Sequence, residues 1–351
     1  MNSSISIFLK FIRLLTPRRE SGTNLIIVLH RIGDSVFTVP AIKGLFSNLN
    51  ESEFTIICFP ENKPIYNNVF KDVRVEIFGS RDFLFGGRLA SIDARRRIKK
   101  LNPYDIIDLT GTISSVSLYI GIKKNSVSGL SDPLWIGAFN NFSYKRKIPH
   151  LMDSYIDGVK SYPKVVRPIF NKEFDVNFKR DGIVYIHPFA GWKAKEWGIQ
   201  NFIELAKKIE LNYSVKFIFP FTESNQDFAN LLREENLNFI MTKSIDELVE
   251  LLSSISLIIS NDSGPLYITS LLGKPTFSIY GPTNPFYSLP YGKFHKYLRK
   301  EIVCSPQSTQ YCHTNAGLNC LTLECMKNLS VEEVFCSVIE FLNELSIIKR
   351  K

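Results

Sequence analysis

Asn24-Leu-Ile-Ile-Val-Leu-His30, followed directly by Arg31-Ile-Gly-Asp34, is the stretch that decides the fold. An unbroken apolar run of this length is typical of a strand that is buried on both faces of a parallel sheet. Residues 35–46 then repeat apolar side chains at helical spacing, and Pro40 falls in the early turns, where proline is tolerated. A strand, a tight loop and a helix in this order predict the first unit of an open α/β sheet.

The same alternation continues through both halves of the chain, with an interruption at residues 160–182. That segment carries several prolines and a turn signal at residues 179–182, so we place a domain boundary there. We predict two Rossmann-like, doubly wound parallel-sheet domains that bind ligand in a central cleft, at the carboxyl ends of their strands. The predicted divisions are an N-terminal helix (1–22), a first domain (23–165), a second domain (166–329) and a C-terminal helix (330–351).

Composition limits the partners that the protein is expected to bind. The chain has 351 residues and a net charge of +9, which suits phosphate-bearing ligands, an anionic membrane or nucleic acid. The cations are scattered, and the sequence has no zinc finger, RNA-binding aromatic motif or long basic stripe, so we expect no nucleic-acid partner. No apolar run reaches the ~18 residues of a membrane span.

The N-terminal segment combines apolar residues with cations. Lys10 and Arg13 interrupt the apolar run of residues 5–15, and Arg18 and Arg19 follow it. A secretory signal would place its charges before an uninterrupted apolar stretch, so this segment does not fit one. It predicts a basic amphipathic helix, which either lies on an anionic bilayer or docks on the protein's own core.

Four cysteines crowd a short stretch near the C-terminus: Cys304, Cys312, Cys320 and Cys325. In a protein of the cytosol, clustered thiols suggest a metal before a disulfide. The spacing has no C-x2-C knuckle, however, and packed, reduced thiols are the alternative. We predict no metal site.

Polar loops follow three of the apolar strands, and each has two interpretations. Asp34, between a strand and a helix, is placed to act as a general base or to cap the helix. The loop of residues 187–197 carries lysines before a helix and suits an anion, unless its lysines simply point into solvent. In the loop of residues 261–265, Ser263 and nearby amide groups suit a diphosphate, and Asp262 suits a sugar hydroxyl or a basic partner; helix capping is again the alternative.

These segments together resemble glycosyltransferase family 9, the lipopolysaccharide heptosyltransferases. The resemblance rests on Gly33-Asp34 after the first strand, on His187-Pro-Phe-Ala-Gly-Trp-Lys-Ala-Lys195-Glu-Trp197, and on Asn261-Asp-Ser-Gly-Pro-Leu-Tyr267. Gly273-Lys-Pro275 and Gly281-Pro-Thr283 continue it. The similarity extends from about residue 24 to residue 340.

The resemblance implies a GT-B fold, in which the second domain binds most of the donor and the C-terminal helix (330–351) packs back on the first, acceptor-side domain. It also implies inverting transfer of heptose from ADP-heptose to a lipid-linked saccharide of the lipopolysaccharide core. Asp34 matches the proposed base, and Lys195 matches a lysine that contacts donor phosphate. The remaining donor-binding positions are His187, Lys193, Glu223, Asp262, Ser263, Gly264 and Tyr267. No Asp-x-Asp pair is present to chelate a divalent ion, so no cofactor is required. The implied location is cytoplasmic and peripheral, on the inner face of the bacterial inner membrane.

Two departures from the family pattern leave alternatives open. Tyr267 stands where many members have histidine, and Phe189 replaces a common glycine. Both substitutions affect the donor side, so the same fold with another nucleotide sugar or acceptor is one alternative. A non-catalytic homologue that binds a nucleotide sugar or glycan is another, and an isomerase that acts on a free nucleotide sugar is the third.

Overall fold

The structure is a computed structural model that describes residues 2–79, 89–145, 149–312 and 320–349, with side chains from residue 4 onward. It divides into two compact units, Met1–Lys172 and Glu173–Lys351. Each unit contains its own six-stranded parallel sheet with flanking helices. The predicted class, two doubly wound α/β domains, is confirmed.

The first unit has the strand order β3-β2-β1-β4-β5-β6. Its strands are β1 (Thr23–Val28), β2 (Phe54–Cys58), β3 (Arg74–Ile77), β4 (Pro103–Asp108), β5 (Ser126–Ser131) and β6 (Asn141–Tyr144). Its described α-helices are α1 (Asn2–Leu15), α2 (Ile32–Phe46), α3 (Lys63–Val69), α4 (Ile92–Lys100), α5 (Ile113–Tyr119) and α6 (Leu151–Lys160).

The apolar run of residues 24–30 forms the centre of this sheet. Leu25, Ile26, Ile27 and Val28 are fully buried, because β2 and β4 pair with β1 on its two sides and helices cover the sheet. The strand order reverses between β1 and β4. Ligands of open α/β sheets bind outside the carboxyl ends of the strands at such a reversal, so the loops after Val28 and Asp108 are the place to look for a site.

The second unit repeats the arrangement with the strand order β12-β11-β10-β7-β8-β9, which reverses between β7 and β10. Its strands are β7 (Ile183–His187), β8 (Ser214–Pro220), β9 (Phe239–Thr242), β10 (Ile258–Asn261), β11 (Thr276–Tyr280) and β12 (His295–Arg299). Its described α-helices are α7 (Ile199–Glu210), α8 (Gln226–Glu234), α9 (Ile245–Ser254), α10 (Gly264–Leu271), α11 (Pro285–Ser288), α12 (Glu324–Lys327) and α13 (Val331–Glu344).

The C-terminal helix α13 packs within the second unit. Its buried side chains Val334, Val338, Phe341 and Leu342 join the core formed by β7, β8 and α7. The family resemblance also implied packing of this helix on the first domain, and that part stays a prediction.

Candidate functional site

In the first unit, Asp34 lies at the reversal of strand order, in the first turn of α2. The residue in the N-cap position is Arg31, and no side chain caps the helix. The half-buried Asp34 carboxylate instead accepts a hydrogen bond from the Tyr155 hydroxyl, at 3.4 Å from Oη to Oδ1. This arrangement fits a carboxylate held for chemistry better than a helix cap.

His30 lies next to Asp34 but is not available as a base. Its ring is buried, packs edge-to-face on Tyr155 at 5.1 Å and bonds through Nε2 to the Leu109 carbonyl at 3.1 Å. Burial lowers the pKa of His30 to about 4, although the nearby Asp34 charge opposes that shift. His30 is therefore neutral near pH 7, which leaves Asp34 as the acidic group at this end of β1.

The loop after β4 completes this end of the first unit. The Asp108 Oδ1 atom accepts hydrogen bonds from the amide groups of Thr110 at 2.9 Å and Gly111 at 3.0 Å. Burial raises the pKa of Asp108 to about 6, against the effect of those bonds. The Lys145 ammonium donates to the Thr110 carbonyl at 3.0 Å. Neither Tyr155 nor Lys145 was predicted as a site residue, because the segments that carry them show no motif.

In the second unit, Asn261 ties together two of the loops identified in the sequence. Its Oδ1 atom accepts a hydrogen bond from the Trp197 amide at 3.1 Å, and its Nδ2 atom donates to the Pro188 carbonyl at 2.6 Å. Asn261 itself is fully buried at the end of β10. The loop of residues 187–197 and the loop of residues 261–265 therefore form one surface at the carboxyl ends of β7 and β10.

Asp262 is the centre of a hydrogen-bond network on that surface. Its Oδ2 atom accepts from the Lys195 ammonium at 2.6 Å and from the Thr283 hydroxyl at 2.7 Å. Its Oδ1 atom accepts a hydrogen bond from the Tyr267 hydroxyl. Three donors within the protein thus occupy the carboxylate, so of the two roles considered for Asp262 the structure favours a basic partner, Lys195, over a sugar hydroxyl.

The electrostatics of this network keep Asp262 ionised. Burial favours protonated Asp262, but the Lys195 charge and the three hydrogen bonds outweigh it and hold the pKa of Asp262 below its usual value. The Lys195 side chain is 18% exposed and lies over the Trp192 ring at 4.8 Å. Lys195 is therefore oriented from two sides, and part of its side chain remains accessible at the surface.

The other predicted donor-binding residues differ in how they are placed. Ser263 precedes α10, and its buried hydroxyl bonds to the Ser260 hydroxyl at 2.9 Å, while Gly264 opens the helix. Lys193 is 85% exposed and pairs with Glu196 at 2.7 Å, so it has the outward orientation that we considered for the lysines of this loop. Glu223 is exposed in the loop after β8. Thr283, which we did not predict, belongs to the Gly-Pro-Thr segment noted in the sequence.

His187 supports this surface as a buried, neutral ring. Its Nδ1 atom lies 2.9 Å from the Ile218 carbonyl on the neighbouring strand, and burial lowers its pKa to about 4. Unfolded histidine titrates near pH 6.5, so the unfolded chain binds a proton between these values that the folded chain does not bind. Stability from this group is therefore complete above about pH 6.5 and is lost as the pH falls toward 4.

We predict that lowering the pH from 7.5 to 5 reduces the free energy of unfolding by about 2 kcal/mol through the titration of His187 alone. Urea denaturation of wild type and of His187→Gln at both pH values isolates the contribution, because other titrating groups are common to the two proteins. The wild type should lose about 2 kcal/mol more than the variant. An equal loss in the two proteins would show that His187 is not held neutral.

The four clustered cysteines of the second unit lie close together in the structure. All six cysteines are free, and Cys304, Cys312, Cys320 and Cys325 line one small pocket together with Gly281 and Pro282. Burial raises the pKa of Cys325 to about 11. In the part of the chain that the structure describes, no group of three or more His, Cys, Asp or Glu residues is placed to hold a metal ion.

Comparison with known proteins places the chain in a family. The sequence profile of glycosyltransferase family 9 (heptosyltransferase) matches residues 95–316, more than half of the chain. Lipooligosaccharide heptosyltransferase 2 of Campylobacter jejuni (serotype O:6) is 27% identical over 173 residues, which cover 47% of this chain and 51% of that protein. The chain therefore matches about half the length of this curated relative. It belongs to glycosyltransferase family 9, as its motifs predicted.

Solved structures show the same fold over nearly the whole chain. A family 9 glycosyltransferase from Veillonella parvula has a TM-score of 0.74 at 18% identity, covering 93% of this chain and 99% of its own. The Escherichia coli heptosyltransferase WaaC, in a structure with ADP-2-deoxy-2-fluoro heptose, has a TM-score of 0.66 at 17% identity and covers 91% and 99%. The predicted GT-B fold is confirmed.

Proposed function

We propose that this protein is an inverting glycosyltransferase that moves heptose from ADP-heptose onto a lipopolysaccharide core saccharide. The observation that carries the proposal is the Lys195–Asp262–Tyr267–Thr283 network at the carboxyl ends of β7 and β10. It holds a partly exposed cation beside the start of α10, where backbone amide groups and the helix dipole also favour an anion. In a family 9 protein, a donor diphosphate is the anion that fits this place.

The choice of donor and acceptor rests on the similar proteins. WaaC was solved with an ADP-heptose analogue, and the Campylobacter jejuni relative is a lipooligosaccharide heptosyltransferase. We therefore assign ADP-heptose as the donor and a hydroxyl group of a lipid-linked core saccharide as the acceptor. The enzyme would work at the cytoplasmic face of the bacterial inner membrane, where it is peripheral, and it would need no cofactor.

In the proposed reaction, Asp34 removes the proton from the acceptor hydroxyl as its oxygen attacks the anomeric carbon of the sugar. The bond between that carbon and the diphosphate oxygen breaks, and the electron pair leaves with the nucleoside diphosphate. Lys195 and the amide groups at the start of α10 stabilise the negative charge that develops there. Attack from the side opposite the leaving group inverts the anomeric configuration.

A transferase of the same fold with another nucleotide sugar is the second candidate, and one observation favours it. Phe189, which replaces a common glycine, packs its ring on Phe228 at 5.3 Å and on Phe219 at 6.1 Å. The substitution therefore adds a ring, packed against the core of the second unit, to the loop that carries Lys195. Titration calorimetry with ADP-heptose, UDP-glucose and GDP-mannose tests the donor: our assignment expects the tightest binding with ADP-heptose, and preferential binding of another sugar nucleotide would replace it.

Lys195→Ala is predicted to weaken binding of ADP itself by about 1.5–3 kcal/mol, the scale of a charge-assisted contact with an anion. The matched control is Lys193→Ala, which removes a lysine of the same loop whose side chain is 85% exposed and pairs with Glu196. Calorimetry with ADP should find near-wild-type affinity in the control. Wild-type affinity in the Lys195 variant would refute the phosphate assignment.

A further inference from the structure

Helix α1 is docked on the first unit by one narrow face. Leu9 is buried in the core cluster that includes Ala138, and Trp135 packs against the same cluster. A side chain on Gly137 would lie 1.8 Å from the Ser6 carbonyl oxygen, so the helix backbone rests directly on this glycine. Of the two placements predicted for this helix, docking on the protein's own core is therefore observed, but only for this face.

The opposite face of α1 is apolar and exposed. Ile7, Phe8, Phe11, Leu14 and Leu15 are each between 58% and 68% exposed. Their spacing places them on one side of the helix, away from Ser6 and Leu9. Five large apolar side chains in a contiguous stripe are far more than the scattered exposed residues of an ordinary surface, and such a patch marks an interaction site.

The charges around this stripe are of one sign. No acidic residue occurs before Glu20, whereas the segment carries Lys10, Arg13, Arg18 and Arg19. The Arg19 Nε atom donates to the carbonyl of the exposed Lys123, which brings one further surface lysine close to this basic segment. Arg95 approaches the same region: its guanidinium and the Ile12 side chain both lie near Gly121.

We propose that the exposed face of α1 docks the protein on an anionic lipid bilayer, with Ile7, Phe8, Phe11, Leu14 and Leu15 inserted at the headgroup boundary and the surrounding cations on lipid phosphates. Apolar insertion combined with a basic surround is the chemistry of an interfacial helix. In the described ranges no helix is long and apolar enough to cross a membrane.

This inference rests on the proposed function in one respect: a lipid-linked acceptor gives the enzyme a reason to sit at a membrane. A second copy of this chain is the other partner that could cover this face, and the charges around the face disfavour it. Two copies that met through this face would bring like cations together, whereas anionic lipids neutralise them. The helix would thereby hold the first unit at the surface that carries the acceptor.

The test is co-sedimentation of the full chain with vesicles of phosphatidylglycerol and phosphatidylethanolamine, compared with phosphatidylcholine vesicles. The triple variant Phe8→Ser/Phe11→Ser/Leu14→Ser is expected to lower the partition coefficient at least tenfold. The matched control is Val166→Ser/Ile169→Ser/Leu211→Ser, which removes three side chains of similar exposure elsewhere and should bind like wild type. Unchanged vesicle binding in the α1 variant would overturn the proposal.

A variant that removes two cations provides a second, independent test of membrane docking. Lys10→Gln/Arg18→Gln should weaken binding to the anionic vesicles by about fivefold for each cation at low salt, and should leave binding to phosphatidylcholine unchanged. ADP affinity, measured in parallel, should be that of wild type in every variant, so a failure of the donor assignment cannot be mistaken for a failure of docking. A dimer in light scattering that the triple variant dissolves, without vesicle binding, would assign the face to a second copy instead.

Discussion

Replacing Asp34 with asparagine is expected to lower turnover by about a hundredfold or more, because the acceptor hydroxyl loses its general base. The shape of the side chain is kept, and an amide can still accept the Tyr155 hydrogen bond, so folding should be nearly unchanged. Donor binding should also be unchanged, since the assigned donor residues belong to the second unit.

The measurement is nucleoside diphosphate release with saturating donor and acceptor. Asp72→Asn is the matched control, because Asp72 is an exposed aspartate of the same unit. The control should turn over at the wild-type rate. Near-normal turnover in the Asp34 variant would remove Asp34 from its proposed role while leaving the family assignment untouched.

Asp262→Ala is expected to cost about 3 kcal/mol of unfolding free energy, because it leaves the ammonium of Lys195 and the hydroxyls of Tyr267 and Thr283 without their common acceptor. The carboxylate is only 3% exposed, so water cannot replace it readily. ADP binding should fall as well, since Lys195 is no longer held over Trp192 in a fixed position.

Urea denaturation of the single variants and of Asp262→Leu/Lys195→Met tests the network. The double variant should be less destabilised than the sum of the single variants Asp262→Leu and Lys195→Met, because neither charge is then left buried without its partner. As a comparison, Lys193→Ala removes a lysine that is 85% exposed, while Glu196 keeps its hydrogen bond from the Ala190 amide, so stability should change by less than about 1 kcal/mol. Additive losses in the double variant would show that the two charges do not interact.

The order of strands and helices could be predicted from the sequence because most strands are continuous apolar runs. The apolar run Asn24–His30, for example, agrees with the strand Thr23–Val28 to within two residues at each end. The strand Ser126–Ser131 escaped prediction, since its serines and Gly129 break the apolar pattern. It is nevertheless buried: the Ser131 hydroxyl bonds to the Asp132 carbonyl, and Gly129 leaves no side chain beside the Asp108 carbonyl.

The residues of the candidate site could be predicted only in part, because the sequence does not show which of them contact each other. Loops at strand ends indicated Asp34, Lys195 and Asp262 individually, but a contact such as Lys195 to Asp262 joins residues that are 67 positions apart. Periodicity carries no information about such pairs. Tyr155 lies on a helix that we did not predict, so the partner of the candidate base could not be identified from the sequence.

The most direct test of the central claim is the transfer reaction itself. Purified protein is incubated with ADP-heptose, with and without a lipid-A-core acceptor that lacks the heptose, and both ADP release and the mass of the acceptor are measured. The account predicts ADP release that depends on the acceptor, together with an acceptor heavier by one heptose and of inverted anomeric configuration. Tight donor binding with no acceptor modified, or conversion of free donor without any acceptor, would contradict it.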